Sequence, residues 1–260
     1  MMPDPLTIQR ALATHFPAAL RLPLDAALAL YGGMATKTPG LTLATKKRTP
    51  TYTGEVGEII AGQSAFVPSG YSMSADSLNA VAGFVRAAGI TRVLEFGAGV
   101  TTIVLPQLLG KRLECYISVE EDAAYAATLA PLLAEEPAYR KVALVQLPID
   151  DEGGPEVTRR DTGTFRTASF KGLSQVMQEG FAEDPPQLVL IDGPSGRARW
   201  GRFAALADIA ALLPQGTCIL LDDALRYREA SILDEWRSRA LVEVDGIYCM
   251  GTGLGVARVM

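Results

Sequence analysis

Short apolar runs recur along the chain and alternate with patterns of helical period. Val93, Leu94 and Phe96 form one run, and residues 114–119, 142–147, 187–191 and 217–221 form four more. Such runs, bounded by turn residues, fit strands buried on both faces. Residues 74–88 carry Leu78, Val81, Phe84, Val85 and Ala88 at helical spacing, with Gly89 placed to end the helix. Helical patterns also cover 198–213 and 226–239. This alternation predicts βαβ units, a mostly parallel sheet, and right-handed crossovers that set helices on both faces. Residues 241–248 and 254–259, on either side of Gly251-Thr252-Gly253, predict a closing antiparallel hairpin.

Residues 1–70 read differently. Short helical patterns at 6–16 and 25–31 are separated by Pro17 and Pro23, a Gly-, Thr-, Lys- and Pro-rich stretch at 32–53 reads as a loop, and 55–61 adds a helical turn. They are expected to form an N-terminal helical and loop extension packed on a main domain of residues 71–260. Between 147 and 187 the chain is too long for a simple connection, and 151–171 is expected to be either a solvent loop or a cover for a substrate.

The run 92–96 leads into Gly97-Ala98-Gly99, followed by Thr101 and Thr102 at the start of a predicted helix. The glycines let the backbone turn sharply and approach a ligand, and a helix N-terminus attracts polar or anionic groups. A dinucleotide site would place a third glycine where Thr102 stands. Glu95, two residues before the first glycine, suits a cationic amino group better than a pyrophosphate. The stretch Glu95-Phe96-Gly97-Ala98-Gly99 resembles the first motif of the class I S-adenosylmethionine (SAM)-dependent methyltransferases, and the closing hairpin is similar to theirs. The resemblance covers roughly residues 75–260. It implies a Rossmann-like, doubly wound α/β fold with a seven-stranded, mostly parallel sheet. It also implies SAM as cofactor, held by Glu95, Gly97, Ala98, Gly99, Thr101 and Thr102.

Ligands of open parallel sheets bind beyond the carboxyl ends of the strands, and there the sequence is acidic. Glu120 lies 25 residues after Glu95, near the roughly 20-residue offset expected of an acid that receives ribose hydroxyls. The helix-dipole role of a first-turn acid suits Glu121 and Asp122 better. Asp150 and Asp151 follow the next run; the resemblance implies that one of them meets the adenine amino group, and a solvated turn explains them equally. Asp192 follows the fourth run, and Asp222 and Asp223 the fifth. Adjacent strands lie about 4.8 Å apart, so these three carboxylates would repel unless a cation intervenes. A hard divalent ion with oxygen ligands, Mg2+ by default, meets that need and would lower the pKa of an acceptor hydroxyl. Helix or turn capping is the competing role for Asp192 and Asp223.

This arrangement resembles the metal-dependent O-methyltransferases of the catechol and macrocin types, which implies Asp192, Asp222 and Asp223 as metal ligands, with Asp192 also bordering the cofactor. The catechol type carries a lysine base three residues after its first ligand; Ser195 stands there in this chain. Asp192 itself or Lys171 is then the candidate base. Arg197, Arg199 and Arg226 lie just past the acids and would balance their charge or hold an anionic part of the substrate. Trp200 and Trp236 read as core or interface residues, His15 as remote from the chemistry, and Tyr71 as either a neighbour of the donor or a turn residue.

Composition narrows the partners. A formal net charge of −5 over 260 residues opposes a nucleic-acid surface, and Lys46-Lys47-Arg48 is too short a cluster to reverse that. No apolar run suits a membrane, and the N-terminus has no secretory pattern. Cys115, Cys218 and Cys249 lack metal-ligand spacing and suit a reduced, cytoplasmic setting. A small-molecule hydroxyl is the expected acceptor, Mg2+ the expected ion, and a homodimer the oligomer to test. Methyl transfer to nitrogen and a non-catalytic SAM-binding module remain open alternatives, while the absent third glycine disfavours a nicotinamide dehydrogenase.

Overall fold

Each apolar run forms a strand in the computed structural model, which describes residues 1–32, 49–159, 162–195 and 198–260. In chain order the strands are β1 (Arg21–Leu22), β2 (Arg92–Phe96), β3 (Cys115–Glu120), β4 (Val142–Gln146), β5 (Ile149–Asp150), β6 (Glu156–Arg159), β7 (Gly163–Arg166), β8 (Ser169–Phe170), β9 (Leu188–Ile191), β10 (Cys218–Asp222), β11 (Val242–Tyr248) and β12 (Leu254–Val259). The helices are α1 (Pro5–His15), α2 (Leu24–Gly32), α3 (Gly54–Gly62), α4 (Ala75–Ala87), α5 (Val100–Leu109), α6 (Ala123–Glu135), α7 (Leu173–Gly180), α8 (Gly201–Ala207) and α9 (Tyr227–Ser238).

The main sheet runs β1-β11-β12-β10-β9-β2-β3-β4. From β10 to β4 all neighbours are parallel, and β12, β11 and β1 close the sheet antiparallel. It has eight strands, against the seven expected. The extra one, β1, is two residues long, too short to show any alternation, and pairs Arg21 with Tyr248 and Leu22 with Ile247. Successive strand residues point to opposite faces. Val93, Leu188, Leu190 and Leu220 pack with Phe84 and Ile103 on one side, and Leu94, Val189, Ile191 and Leu221 with Phe203 and Trp236 on the other. Large side chains buried this fully each contribute about 1.5–3 kcal/mol.

The register sets the site. Phe96 lies opposite both Ile191 and Val119, and Leu221 opposite Ile191. Gly97, Glu120, Asp192 and Asp222 therefore leave four adjacent strands at one level.

Residues 1–32 add helices to this framework. The side chain of His15 fills the space beside Gly83 of α4, where a Cβ would stand 2.3 Å from its Nδ1. His15 thus serves helix packing. Tyr31 is buried, and its hydroxyl donates to the Leu225 carbonyl. Lys46-Lys47-Arg48, most of the 32–53 stretch, and Arg197 lie outside the described residues. No helix among those described is long and apolar enough to cross a membrane.

Two expectations need correction. The interval after β4, expected to be a solvent loop or a substrate cover, carries short strands that overturn the solvent loop: β5 pairs with β8, β6 pairs with β7, and α7 follows. Its strands are two to four residues long, so no periodic signal announced them. Their buried members dock on the domain, Phe165 against Trp200 with ring centroids 5.7 Å apart and Phe170 against Phe96 at 5.2 Å. The helix expected over 198–213 is also shorter. Trp200 takes a left-handed conformation (φ 54°), so α8 begins only at Gly201, and a separate 3-10 turn covers Ala210–Leu212.

Candidate active site

The turn after β2 is fixed from beneath. Glu95 is fully buried, and its carboxylate accepts hydrogen bonds from the hydroxyls of Thr101, Thr102 (2.5 Å) and Ser118 (2.6 Å). Thr102 Oγ1 in turn accepts the Gly99 N–H at 2.9 Å. Glu95 therefore holds the glycine turn and the first turn of α5 through hydroxyl groups. Its carboxylate oxygens are taken up by these three hydroxyls, a bracing role that the sequence reading did not include. Burial pushes its pKa up to about 7, against the lowering effect of the hydroxyl bonds.

Glu120 ends β3 beside the same turn. Its Oε2 accepts the Ala98 N–H at 2.9 Å, and Oε1 accepts the Asp122 N–H at 2.8 Å. Two bonds fix the carboxylate, and a carboxylate has about four acceptor positions, so it retains capacity for hydroxyl donors. Burial raises its pKa to about 7, the Asp122 N–H lowers it, and Glu121 raises it. Asp122 caps α6, accepting from the N–H groups of Ala124 and Tyr125. Tyr125 reaches back towards the glycine turn, its hydroxyl oxygen 3.9 Å from where a Gly99 Cβ would stand. Burial, and then the charges of Glu120, Glu95 and Asp192, push its pKa up to about 12. From the other flank, Glu121 Oε1 accepts the Ser195 N–H at 2.5 Å, tying the exit of β3 to that of β9.

Asp192, Asp222 and Asp223 converge at the ends of β9 and β10, each offering a carboxylate oxygen within 4.8 Å of the others. Asp222 and Asp223 are buried, and the Asp192 side chain is 18% exposed. Asp223 stands in the left-handed region (φ 62°) and pairs with Arg226 at 2.9 Å. Below them lies Arg202, 3.4 Å from Asp192 Oδ1, 3.4 Å from Asp223 Oδ2 and 3.9 Å from Glu229 Oε1. Burial works against the charge of Arg202, but Asp192, Glu229, Asp223 and Asp222 more than offset it and raise its pKa. Among the described residues, these carboxylates and Glu229 thus meet the guanidinium groups of Arg202 and Arg226. Oxygen donors and their convergence fit a hard divalent cation.

Other expected residues lie elsewhere. Lys171 is exposed, and its Nζ pairs with Asp150 Oδ2 at 3.6 Å beyond the exit of β4. Asp150 belongs to β5, paired with Ser169 of β8, and Asp151 is exposed. Arg199 stacks over Phe165 at 4.4 Å. Trp236 is core, donating Nε1–H to the Phe203 carbonyl, and Tyr71 is 87% exposed. Arg202, Glu229, Tyr125 and Tyr52 escaped the sequence reading. Tyr52 donates to the Met73 carbonyl at 2.6 Å; burial raises its pKa, Ser72 lowers it, and Asp192 and Asp222 raise it. One signal for Arg202 was available, since it is the sole charge in the apolar run of α8, Gly-Arg-Phe-Ala-Ala-Leu-Ala.

No family model and no curated protein matches the sequence. Solved structures do match the fold. The methyltransferase PaMTH1 of Podospora anserina, solved with S-adenosylhomocysteine (SAH) bound, aligns with a TM-score of 0.52 at 13% identity over 91% of this chain and 96% of its own. The O-methyltransferase of Bacillus cereus, in complex with SAH, aligns with a TM-score of 0.52 at 16% identity over 79% and 89%. At these identities the likeness establishes a shared Rossmann-like methyltransferase fold.

Proposed function

We propose that this chain transfers a methyl group from SAM to a hydroxyl of a small molecule. The observation that carries the reading is the level exit of four strands, which sets the glycine turn one strand and Glu120 two strands from the acid of β9, with the acids of β10 one strand further on. Two ligands can lie side by side across such an edge, and the SAH bound to two proteins of the same fold supports the choice of donor.

The chain's own residues divide the work. Glu120 would take the ribose hydroxyls, with its orientation fixed by the Ala98 and Asp122 N–H groups. The backbone of Gly97, Ala98 and Gly99, braced by Glu95 through Thr101 and Thr102, would hold the donor. Asp192 borders both halves and is the candidate to receive the hydroxyl proton. Asp192, Asp222 and Asp223 would hold a divalent ion, Mg2+ by default, whose contribution is to lower the pKa of the acceptor hydroxyl. Catalysis on this plan is chiefly positioning, with donor and acceptor aligned for transfer.

Calorimetry with SAH tests the donor half, with saturable binding at micromolar concentration expected; failure to bind at high micromolar concentration would sink the reading. A panel of hydroxyl and amine acceptors with SAM, with and without a chelator, tests the rest. Hydroxyl turnover that a chelator abolishes is the expected result. Turnover confined to amines would reassign the acceptor, and SAH binding without any turnover would point to a non-catalytic module.

A further inference from the structure

Arg202 occupies the second position of α8, its guanidinium beneath the ends of β9 and β10 with 9% side-chain exposure. Its donors reach two different loops. Nη1–H donates to the Asp222 carbonyl at 2.9 Å, Nε–H to the Pro194 carbonyl at 3.4 Å, and Nη2–H to the Asp192 carbonyl. Nη2 also lies 3.4 Å from both Asp192 Oδ1 and Asp223 Oδ2. A planar fork with five N–H donors can serve three carbonyls on two loops, which a compact ammonium cannot.

Strand register brings Asp192, Asp222 and Asp223 to one level, but their mutual repulsion drives the carboxylates apart. Resting on the reading of these acids as a cation site, we propose that Arg202 is the positioning residue of that site. It clamps the carbonyls of residues 192, 194 and 222, and so holds the carboxylates convergent before any cation arrives. Geometry and charge act here with opposite signs. As a clamp, Arg202 tightens cation binding by pre-organising the ligands. As a simple counter-ion, it weakens binding, because a positive group 3.4 Å from two ligand carboxylates repels the incoming ion.

The sign is measurable on the full chain with Mn2+ as probe, following loss of the free-ion paramagnetic resonance signal, with SAH calorimetry in parallel. Wild type is expected to take up a single Mn2+. Arg202→Met removes clamp and charge together at similar volume, and Mn2+ affinity is expected to fall roughly tenfold or more, as for other residues that orient metal ligands. Arg202→Lys keeps the charge but loses the fork, and is expected to bind no better than the Met variant. SAH affinity should stay within about twofold in both, since the bonds of Arg202 go to residues 192, 194, 222 and 223 and none reaches Glu120 or the glycine turn.

An Arg202→Met variant that binds Mn2+ as tightly as wild type, or tighter, overturns the proposal. So does a Lys variant indistinguishable from wild type, and that comparison decides the matter if the Met variant fails to fold. Wild-type chain that takes up no Mn2+ at millimolar concentration overturns the clamp together with the cation site. A wild type that binds Mn2+ but not SAH defeats the methyl-transfer reading alone, and leaves the clamp to be judged by the Mn2+ series.

Discussion

Gly97 and Gly193 lie backbone to backbone. A Cβ on Gly97 would stand 2.5 Å from the Gly193 nitrogen, and one on Gly193 would stand 2.7 Å from the Gly97 Cα. The N–H groups of Asp192 and Gly193 both donate to the Phe96 carbonyl, at 2.9 and 2.6 Å, so the β9 exit is sewn onto the glycine turn. Gly97 also has φ of 89°, a conformation that L residues rarely adopt. Gly97→Ala is therefore expected to destabilise the chain by roughly 2–3 kcal/mol. Urea denaturation would measure this, and a midpoint unchanged from wild type would mean that the two loops separate readily.

Glu120→Gln tests the donor half. The side chain keeps its size but loses charge and half its acceptor capacity. Hydrogen bonds to charged groups are worth about 1.5–3 kcal/mol, so SAH affinity should fall roughly 10- to 100-fold. Calorimetric affinity equal to that of wild type would remove Glu120 from the site.

Asp222→Asn and Asp223→Asn separate the two halves. Asparagine tolerates the left-handed conformation that Asp223 adopts, so the second substitution leaves the backbone undisturbed. SAH affinity is expected to hold within about twofold while kcat/KM for the hydroxyl acceptor falls at least tenfold, as loss of a cation ligand implies. A parallel loss of SAH binding would place these acids with the donor instead.

Stability should fall as the pH rises from about 4.5 through about 7. Burial raises the pKa of both Glu95 and Glu120 from an ordinary 4.5 to about 7. An acid whose pKa is higher folded than unfolded takes up a proton on folding between those two values. Its stabilising contribution is complete below pH 4.5 and is lost as the pH rises through about 7. At about 1.4 kcal/mol per pH unit, fully buried Glu95 alone is worth on the order of 3 kcal/mol. Thermal unfolding from pH 5 to 8 should show a declining midpoint, and Glu95→Gln should flatten the slope. A slope unaltered by that substitution would contradict the burial argument.

Arg159 pins the β6–β7 hairpin to the domain. Its guanidinium lies 5.2 Å from the Trp200 ring and 5.6 Å from the Tyr227 ring, and its Nη2–H donates to the Tyr227 hydroxyl at 3.0 Å. Contacts of this kind contribute about 0.5–2 kcal/mol. Arg159→Met should speed limited proteolysis within residues 153–166 severalfold while leaving the thermal midpoint nearly unchanged. Equal cleavage rates would show that Phe165 and Trp200 hold the hairpin without it.

What the sequence disclosed follows from length and period. Strands of four or more buried residues, such as Arg92–Phe96 and Leu188–Ile191, announce themselves as apolar runs, and the acids after them follow from topology. Two-residue pairings such as Arg21–Leu22 with β11 carry no period, so the eighth strand was invisible. The direction of Glu95 was also hidden, because whether a carboxylate faces the crevice or the core depends on Thr101, Thr102 and Ser118, and Ser118 comes from another strand. Arg202 shows the same limit: its partners stand 8 to 27 residues away in the chain and meet it only in the folded sheet.

The brief pairing of Arg21 and Leu22 with β11 bears on how this molecule meets others of its kind. A sheet margin with unsatisfied N–H and C=O groups is a template for a foreign strand, and on this side residues 21–22 already take up part of the template. The opposite margin, β4, has no such cover among the described residues, and Lys141 stands at its entrance. A strand added to the sheet would thus meet a partly filled margin at β11 and an unfilled one at β4.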